Sequence, residues 1–371
     1  MKVLQVIDSG GLYGAERVVL SLMGALRDNG IESALASIGE PGVSEKALET
    51  EARREGHRVE RHIMKAGPDR GGARALVGWA REQGFDILHT HGYKANTLVA
   101  GMSRRRRGLP AVATLHGWTS TRFFSRQRAY EMAERLALHR AERVVAVSQA
   151  MVDRWRLKRR YGCRLSVITN GIEVPKAHSS TCPEWLEQFK AGRPAIFAAG
   201  RLSREKGFDV LIDALAILRQ QGLDVCLLIA GEGPERAALE ERVKTHGIES
   251  AVLMPGYIEN AGHLVSCFDI VAIPSRTEGL PIVLLEALFS GVPVAATAVG
   301  EIPAVMRRCN AGTCVAPGDA TGLASTLGFH VHAESGSFDA SSVASIASEL
   351  YSTSAMADAY RTVYSRELTV A

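Results

Sequence analysis

Ala195-Ile196-Phe197-Ala198-Ala199-Gly200-Arg201-Leu202-Ser203-Arg204-Glu205-Lys206-Gly207-Phe208 decides the fold. Five apolar residues in a row suit a strand buried on both faces of a parallel sheet. A glycine and a cationic loop follow, and residues 209–221 then show helical periodicity. Strand, loop and helix in that order form the repeating unit of a doubly wound sheet. The unit starts afresh here, because the first half of the chain has already run through it.

In that first half the predicted strands are 2–8, 32–38, 58–64, 86–91, 111–116, 143–148 and 165–169, with helices at 15–29, 72–83 and 128–140 between them. In the second half, strands at 195–199, 225–230, 252–255, 270–274 and 294–298 alternate with helices at 209–221, 235–244 and 282–289. Residues 173–193 hold Pro175, Pro183 and no long apolar run, the composition of a linker. The expected organisation is an N-terminal doubly wound α/β domain over 1–175, a linker over 176–193 and a second such domain over 194–350. Helical residues 351–371 would pack back on the first domain. Two such domains are expected to face each other across a cleft, with ligands at the carboxyl ends of the strands.

The 371 residues suffice for two ordinary domains. No run of eighteen apolar residues is present, which argues against a membrane-spanning helix. The six cysteines form no C-x-x-C pair, which argues for reduced cytosolic thiols and against a zinc site or a disulfide framework. Charge is unevenly spread. Residues 1–175 hold 29 Lys and Arg against 18 Asp and Glu, a balance of +11, and the remainder holds 15 against 22, a balance of −7. The basic half suits an anionic acceptor, a lipid surface or nucleic acid. Its dense runs are 104–107, 122–128 and 154–160, the last two mixing cations with aromatics. Such mixtures fit an anionic membrane surface, and equally a solvated helix face.

The chemistry concentrates at strand ends. Arg201 and Lys206 follow a strand, where two cations can neutralise a diphosphate. Glu278-Gly279-Leu280-Pro281 precedes an apolar helix that carries Glu286. Pro281 suits a helix start, and free N–H groups there can hold an anion. The two glutamates would stand about 12 Å apart if the segment were helical throughout. Gly10-Gly11-Leu12-Tyr13-Gly14 is a glycine-rich strand-to-helix turn that lacks the Gly-Lys-Ser/Thr ending of a phosphate-binding loop. His116 ends a strand, where it can bond a substrate hydroxyl or be an ordinary half-buried histidine. His89 and His91 share one face of a strand, with no third metal ligand nearby, and read as structure or polar lining. Gly231-Glu232-Gly233-Pro234 reads as a turn before a helix.

Taken together, Gly10-Gly11 with Glu16, His116-Gly117, Val147-Ser148, Thr169-Asn170-Gly171-Ile172, Gly200-Arg201-Leu202 with Glu205-Lys206-Gly207, Gly231-Glu232-Gly233-Pro234 and Glu278-Gly279-Leu280-Pro281 with Glu286 resemble glycosyltransferase family 4. These are retaining enzymes of the two-domain GT-B fold, and the likeness runs nearly the whole length. The resemblance implies a nucleotide diphosphate sugar, UDP- or GDP-linked, as donor and a hydroxyl acceptor in polysaccharide, glycolipid or envelope synthesis. It implies that Arg201 and Lys206 bind the diphosphate and stabilise it as leaving group, that Glu278 contacts hydroxyls of the transferred sugar, and that Gly279 and Leu280 bind the donor. Glu286 would bind the ribose, Gly11 would let its loop close over the phosphates, and His116 would contact the transferred sugar. No metal or other cofactor is expected. Nor is nucleic acid, and the expected location is cytoplasmic with peripheral contact to the inner membrane face. The competing readings are a nucleotide-sugar epimerase of the same fold and a basic membrane- or nucleic-acid-binding protein without catalysis.

Overall fold

The computed structural model describes residues 1–9, 11–12, 14–117, 126–174, 182–332 and 338–369. The chain divides into two compact units, Met1–Glu173 with Tyr351–Ala371, and Val174–Leu350. Each is built on one parallel sheet.

The first sheet uses β1 (Lys2–Ile7), β2 (Glu32–Gly39), β3 (Arg58–Ile63), β4 (Ile87–His91), β5 (Ala111–Leu115), β6 (Arg143–Ala146) and β7 (Leu165–Val167) in the order β3-β2-β1-β4-β5-β6-β7. The second uses β8 (Ala195–Ala199), β9 (Cys226–Ala230), β10 (Val252–Gly256), β11 (Ile270–Ile273), β12 (Val294–Thr297) and β13 (Gly312–Val315) in the order β10-β9-β8-β11-β12-β13. Strand order therefore reverses direction between β1 and β4, and again between β8 and β11. At such a reversal the loops diverge to opposite faces of the sheet and leave a crevice at the carboxyl ends.

Central strands such as β5 and β9 are buried along their whole length, as their unbroken apolar runs require. On one face of the first sheet Val3, Ile87, Val112 and Val145 pack against Leu22 and Leu26 of the helix Gly14–Asp28 and against Met356, Tyr360 and Tyr364 of the helix Thr353–Thr369. The last helix thus belongs to the core of the first unit. A buried ion pair also ties it there. Arg143 donates to Glu367 from Nε at 3.0 Å and from Nη2 at 2.6 Å. In the second unit the helix Phe208–Gln220 packs Leu211, Leu215 and Leu218 against Ile196, Leu227 and Leu323.

Two expectations need correction. Cys182 and Cys267 form a disulfide across a sequence separation of 85 residues, so the cysteines are not all reduced thiols. The predicted linker is also shorter than 176–193. Its second half folds as the helix Glu184–Lys190, with Leu186 buried and Lys190 donating to the Cys267 carbonyl at 2.9 Å. Pro183 starts that helix rather than breaking the chain. The helices Ala47–Arg54 and Ile302–Cys309 and the edge strand β13 are further elements that the sequence pattern had not separated from loops.

Candidate functional site

Two groups of chemistry-bearing residues sit at carboxyl strand ends, one in each unit. In the second unit they leave β8 and β11, the strands that flank the reversal of order. Two loops meet there. Glu205 O accepts from the backbone N–H of Arg276 at 2.7 Å, and Arg276 makes a bidentate pair with Asp209 at 2.7 and 2.6 Å. The hydrogen bonds from Arg276 hold the Asp209 carboxyl below its ordinary range. Gly207 permits this approach. Its φ is +67°, and a Cβ would fall 2.1 Å from the Pro274 carbonyl oxygen.

This latch brings Lys206 onto Glu278. Lys206 Nζ donates to Glu278 Oε2 at 2.6 Å, and the buried Ser275 hydroxyl donates to the same oxygen at 3.1 Å. Arg201, just past the end of β8, is exposed; its carbonyl accepts from the Ser203 hydroxyl at 3.3 Å, and its guanidinium makes no hydrogen bond or ion pair with any described residue. Its guanidinium is available to a ligand. The N–H groups of Gly279 and Leu280 likewise make no hydrogen bond among the described residues, while the Gly279 carbonyl accepts from Glu301 N–H at 3.0 Å. The helix starts at Ile282 with Pro281 as its N-cap. Cations, free amides and a helix N-terminus together favour a diphosphate.

Glu286 lies on that helix, half-buried, and its carboxylate has no hydrogen-bond partner among the described residues. Burial raises its carboxyl above the ordinary range. It rests over Gly262, where a Cβ would come within 2.3 Å of Glu286 Oε1. An unpartnered carboxylate held against bare backbone is suited to accept from a pair of hydroxyls. Because Glu278 is outside the helix, the 12 Å spacing computed for a continuous helix does not apply. The Gly231-Glu232-Gly233 turn buttresses the β8 loop. Leu202 N–H donates to the Glu232 carbonyl at 2.9 Å, and Glu235 N–H to the Leu202 carbonyl at 3.0 Å.

In the first unit Gly11 follows β1, its N–H on Ser9 Oγ at 3.2 Å. Gly10 and Tyr13 lie outside the described residues, as do 118–125, which take in 122–125 of the basic run 122–128. Glu16 is buried in the first turn of the following helix. His116 follows β5, and burial lowers it to about 4, so it is neutral at neutral pH. It belongs to a buried chain of polar groups. His116 Nε2 lies 3.0 Å from His91 Nδ1, His91 Nε2 is 2.9 Å from Gln5 Oε1, and His89 bridges Tyr364 OH at 2.6 Å and Thr114 Oγ1 at 2.8 Å. Thr114 Oγ1 in turn meets Tyr360 OH at 2.9 Å. The two histidines of β4 are therefore hydrogen-bonded polar lining. Nothing in a single-strand motif could reveal Gln5, Tyr360 or Tyr364 as partners, since Tyr364 and Gln5 stand 359 residues apart. Also unforeseen was a charged group at neighbouring strand ends, where Asp8 meets Lys46 at 3.0 Å and Lys94 at 3.8 Å.

The chain is similar to known proteins. A family model described as Glycosyltransferase Family 4 matches residues 13–175, and one described as Glycosyl transferases group 1 matches residues 193–329. The chain is 25% identical over 249 residues to N-acetyl-alpha-D-glucosaminyl L-malate synthase of Bacillus anthracis, covering 66% of this chain and 65% of that protein. It is 29% identical over 252 residues to phosphatidyl-myo-inositol mannosyltransferase of Mycobacterium leprae, covering 67% and 65%. The chain thus spans just under two thirds of the length of these relatives. Among solved structures, Anabaena HepE in complex with UDP superposes with a TM-score of 0.81 at 23% identity, over 99% of this chain and 100% of that one. A glycosyltransferase from Rickettsia africae superposes with a TM-score of 0.82 at 18% identity, over 100% and 99%. At these identities the likeness establishes the GT-B fold.

Proposed function

Because the chain belongs to glycosyltransferase family 4, we propose that it is a retaining, metal-independent transferase moving a sugar from a nucleotide diphosphate sugar to a hydroxyl acceptor. The observation that carries this reading is the β8/β11 crevice, where a free Arg201, the Lys206–Glu278 pair and the open amides of Gly279 and Leu280 converge. In the proposed reaction the bond from the anomeric carbon to the diphosphate breaks as the acceptor oxygen bonds to that carbon from the same face. The acceptor proton passes to the departing phosphate oxygen. The main demand is stabilisation of charge on the leaving diphosphate, which two cations and oriented amides meet. Lys206 would exchange its contact with Glu278 for the phosphates, releasing Glu278 to the sugar hydroxyls. Glu286 would take the ribose hydroxyls, Gly11 would let its loop approach the phosphates, and His116 would receive a hydroxyl of the transferred sugar. UDP is the favoured nucleotide, since Anabaena HepE was solved with UDP and with UDP-glucose.

For the acceptor we propose a lipid-linked or otherwise anionic molecule, met at a membrane surface. The first unit holds a cavity of about 1340 Å³ lined by Arg70, Arg74, Arg105, Arg106 and Arg140, none paired with a carboxylate among the described residues. Leu136 lies exposed at its edge. Unpaired cations beside exposed apolar groups suit anionic headgroups. No helix among the described residues is long and apolar enough to cross a membrane, so such contact would be peripheral.

The test is thermal unfolding with UDP-, GDP- and ADP-sugars, where a ligand raises the midpoint by mass action. UDP-sugars should give the largest rise, unchanged by a chelator. No rise with any of them would defeat the proposal. Vesicle sedimentation with and without anionic lipid, comparing wild type with Arg105→Glu/Arg106→Glu, tests the surface contact.

A further inference from the structure

We propose that Gln5, oriented by Tyr364, sets the proton position on His116 through His91, holding His116 as the Nε2–H tautomer with a bare Nδ1. The transferase reading underlies the use of this device, whereas the tautomer itself stands on geometry. One short contact and one acceptor-only atom assign the donors. Tyr364 OH lies 2.6 Å from His89 Nδ1, a length typical of O–H donation and short for N–H donation. The phenol therefore donates to His89, and its oxygen is left to accept. Gln5 meets that oxygen through Nε2 in a long 3.5 Å contact. This turns the other end of the amide, Oε1, to His91 Nε2 at 2.9 Å, the usual N–H···O length.

An amide oxygen only accepts. His91 must then carry its proton on Nε2. Its Nδ1 is a lone pair, provided the ring is neutral. Burial without a carboxylate neighbour keeps it so, holding His91 well below the ordinary histidine range. Across the 3.0 Å contact with His91 Nδ1, His116 Nε2 is accordingly the donor. His116 Nδ1 has no hydrogen-bond partner among the described residues. It is left as an acceptor, able to take a substrate hydroxyl and unable to donate to one. Reversing the Gln5 amide would reverse every member of the chain and present an N–H instead. The three strands β1, β4 and β5 are adjacent, with Ile7 beside His91 and His91 beside Thr114, so the register brings the three rungs together. Gln5 and Tyr364 are positioning residues, since neither touches His116.

The experiment is nitrogen NMR of histidine-labelled protein, with the His116 signals assigned by their loss in His116→Gln. Wild type should show His116 protonated on Nε2. Gln5→Met should populate both tautomers. Tyr364→Phe, the milder change, should do so in part while the protein stays folded by circular dichroism. Donor turnover should fall about tenfold in Gln5→Met with the donor KM unchanged. An Nδ1–H form in the wild type, or a tautomer unmoved in both variants, overturns the assignment. A moved tautomer with unchanged turnover overturns its use in transfer. If wild type turns over no nucleotide sugar, the transferase reading fails, and the NMR result alone decides the tautomer.

Discussion

Lys206 and Glu278 neutralise each other at 2.6 Å while each waits for a different part of a ligand. Removing either therefore strands the other. Lys206→Ala should lower transfer by roughly 10²–10³-fold, the scale for losing one preorganised stabilising group, with the fold intact by circular dichroism. Glu286 differs, because it is half-buried with no partner and its ionised form is disfavoured there. Glu286→Gln should raise the unfolding midpoint at pH 7 and weaken UDP binding about tenfold, the cost of losing hydrogen bonds to a charged acceptor. Calorimetry and titration on the one variant test both signs. The buried histidines add a pH dependence. His89, His91 and His116 all sit below their ordinary value of 6.5, His116 at about 4, chiefly through burial. Between those values the unfolded chain binds protons that the folded one does not. Their stabilisation is thus complete above about pH 6.5 and is lost as pH falls toward 4. Urea midpoints across that window should drop, and His91→Gln should flatten the slope.

Elements differ in how plainly their sequence announces them. The helix Ile282–Phe289 is legible because Pro281 sets its start and its apolar run is long enough to bury. The loop after β8 is legible because cations rarely cluster at a buried strand's end without a charge to meet. The helix Glu184–Lys190 is not legible, since seven residues between prolines and glycines carry no periodic signal. The Cys182–Cys267 bridge is equally hidden, because partners 85 residues apart leave no spacing motif. Gly262 means something only once Glu286 is seen above it. In Thr353–Thr369 the tyrosine hydroxyls acquire a role only through Gln5 of β1, His89 of β4 and Thr114 of β5. That bridge should matter for stability, because closing a long loop restricts the unfolded chain. Cys182→Ser should cost about 2–4 kcal/mol, measured by denaturant unfolding of the second unit under non-reducing conditions. Glu367→Ala should cost about 3–5 kcal/mol by leaving Arg143 buried and unpaired.

At the scale of the whole molecule, the balance of +11 in residues 1–175 and −7 beyond separates two tasks. The basic unit carries the arginine-lined cavity, and the acidic unit places Lys206 at the β8/β11 crevice while Lys190, Arg219, Arg236 and Arg242 pair with carboxylates elsewhere. Raising the salt should therefore weaken vesicle binding steeply and nucleotide binding far less, since the crevice is partly buried. Parallel titrations from 50 to 500 mM salt (roughly a threefold change in Debye length) separate the two.

The first unit is completed by residues 351–371, so the second unit interrupts it. During translation the ribosome releases β1 through β7 and then the entire second unit before the helix Thr353–Thr369 emerges. At a synthesis rate of about 5–20 residues per second, the sheet face that will receive Tyr360 and Tyr364 waits uncovered for roughly ten seconds or more. Val3, Ile87 and Val112, which share that face with Leu22 and Leu26, lack the last helix's side of their cover over that interval. Chains truncated after Leu350 should accordingly hold a folded second unit and an unfinished first one, and the His116 network cannot close in them.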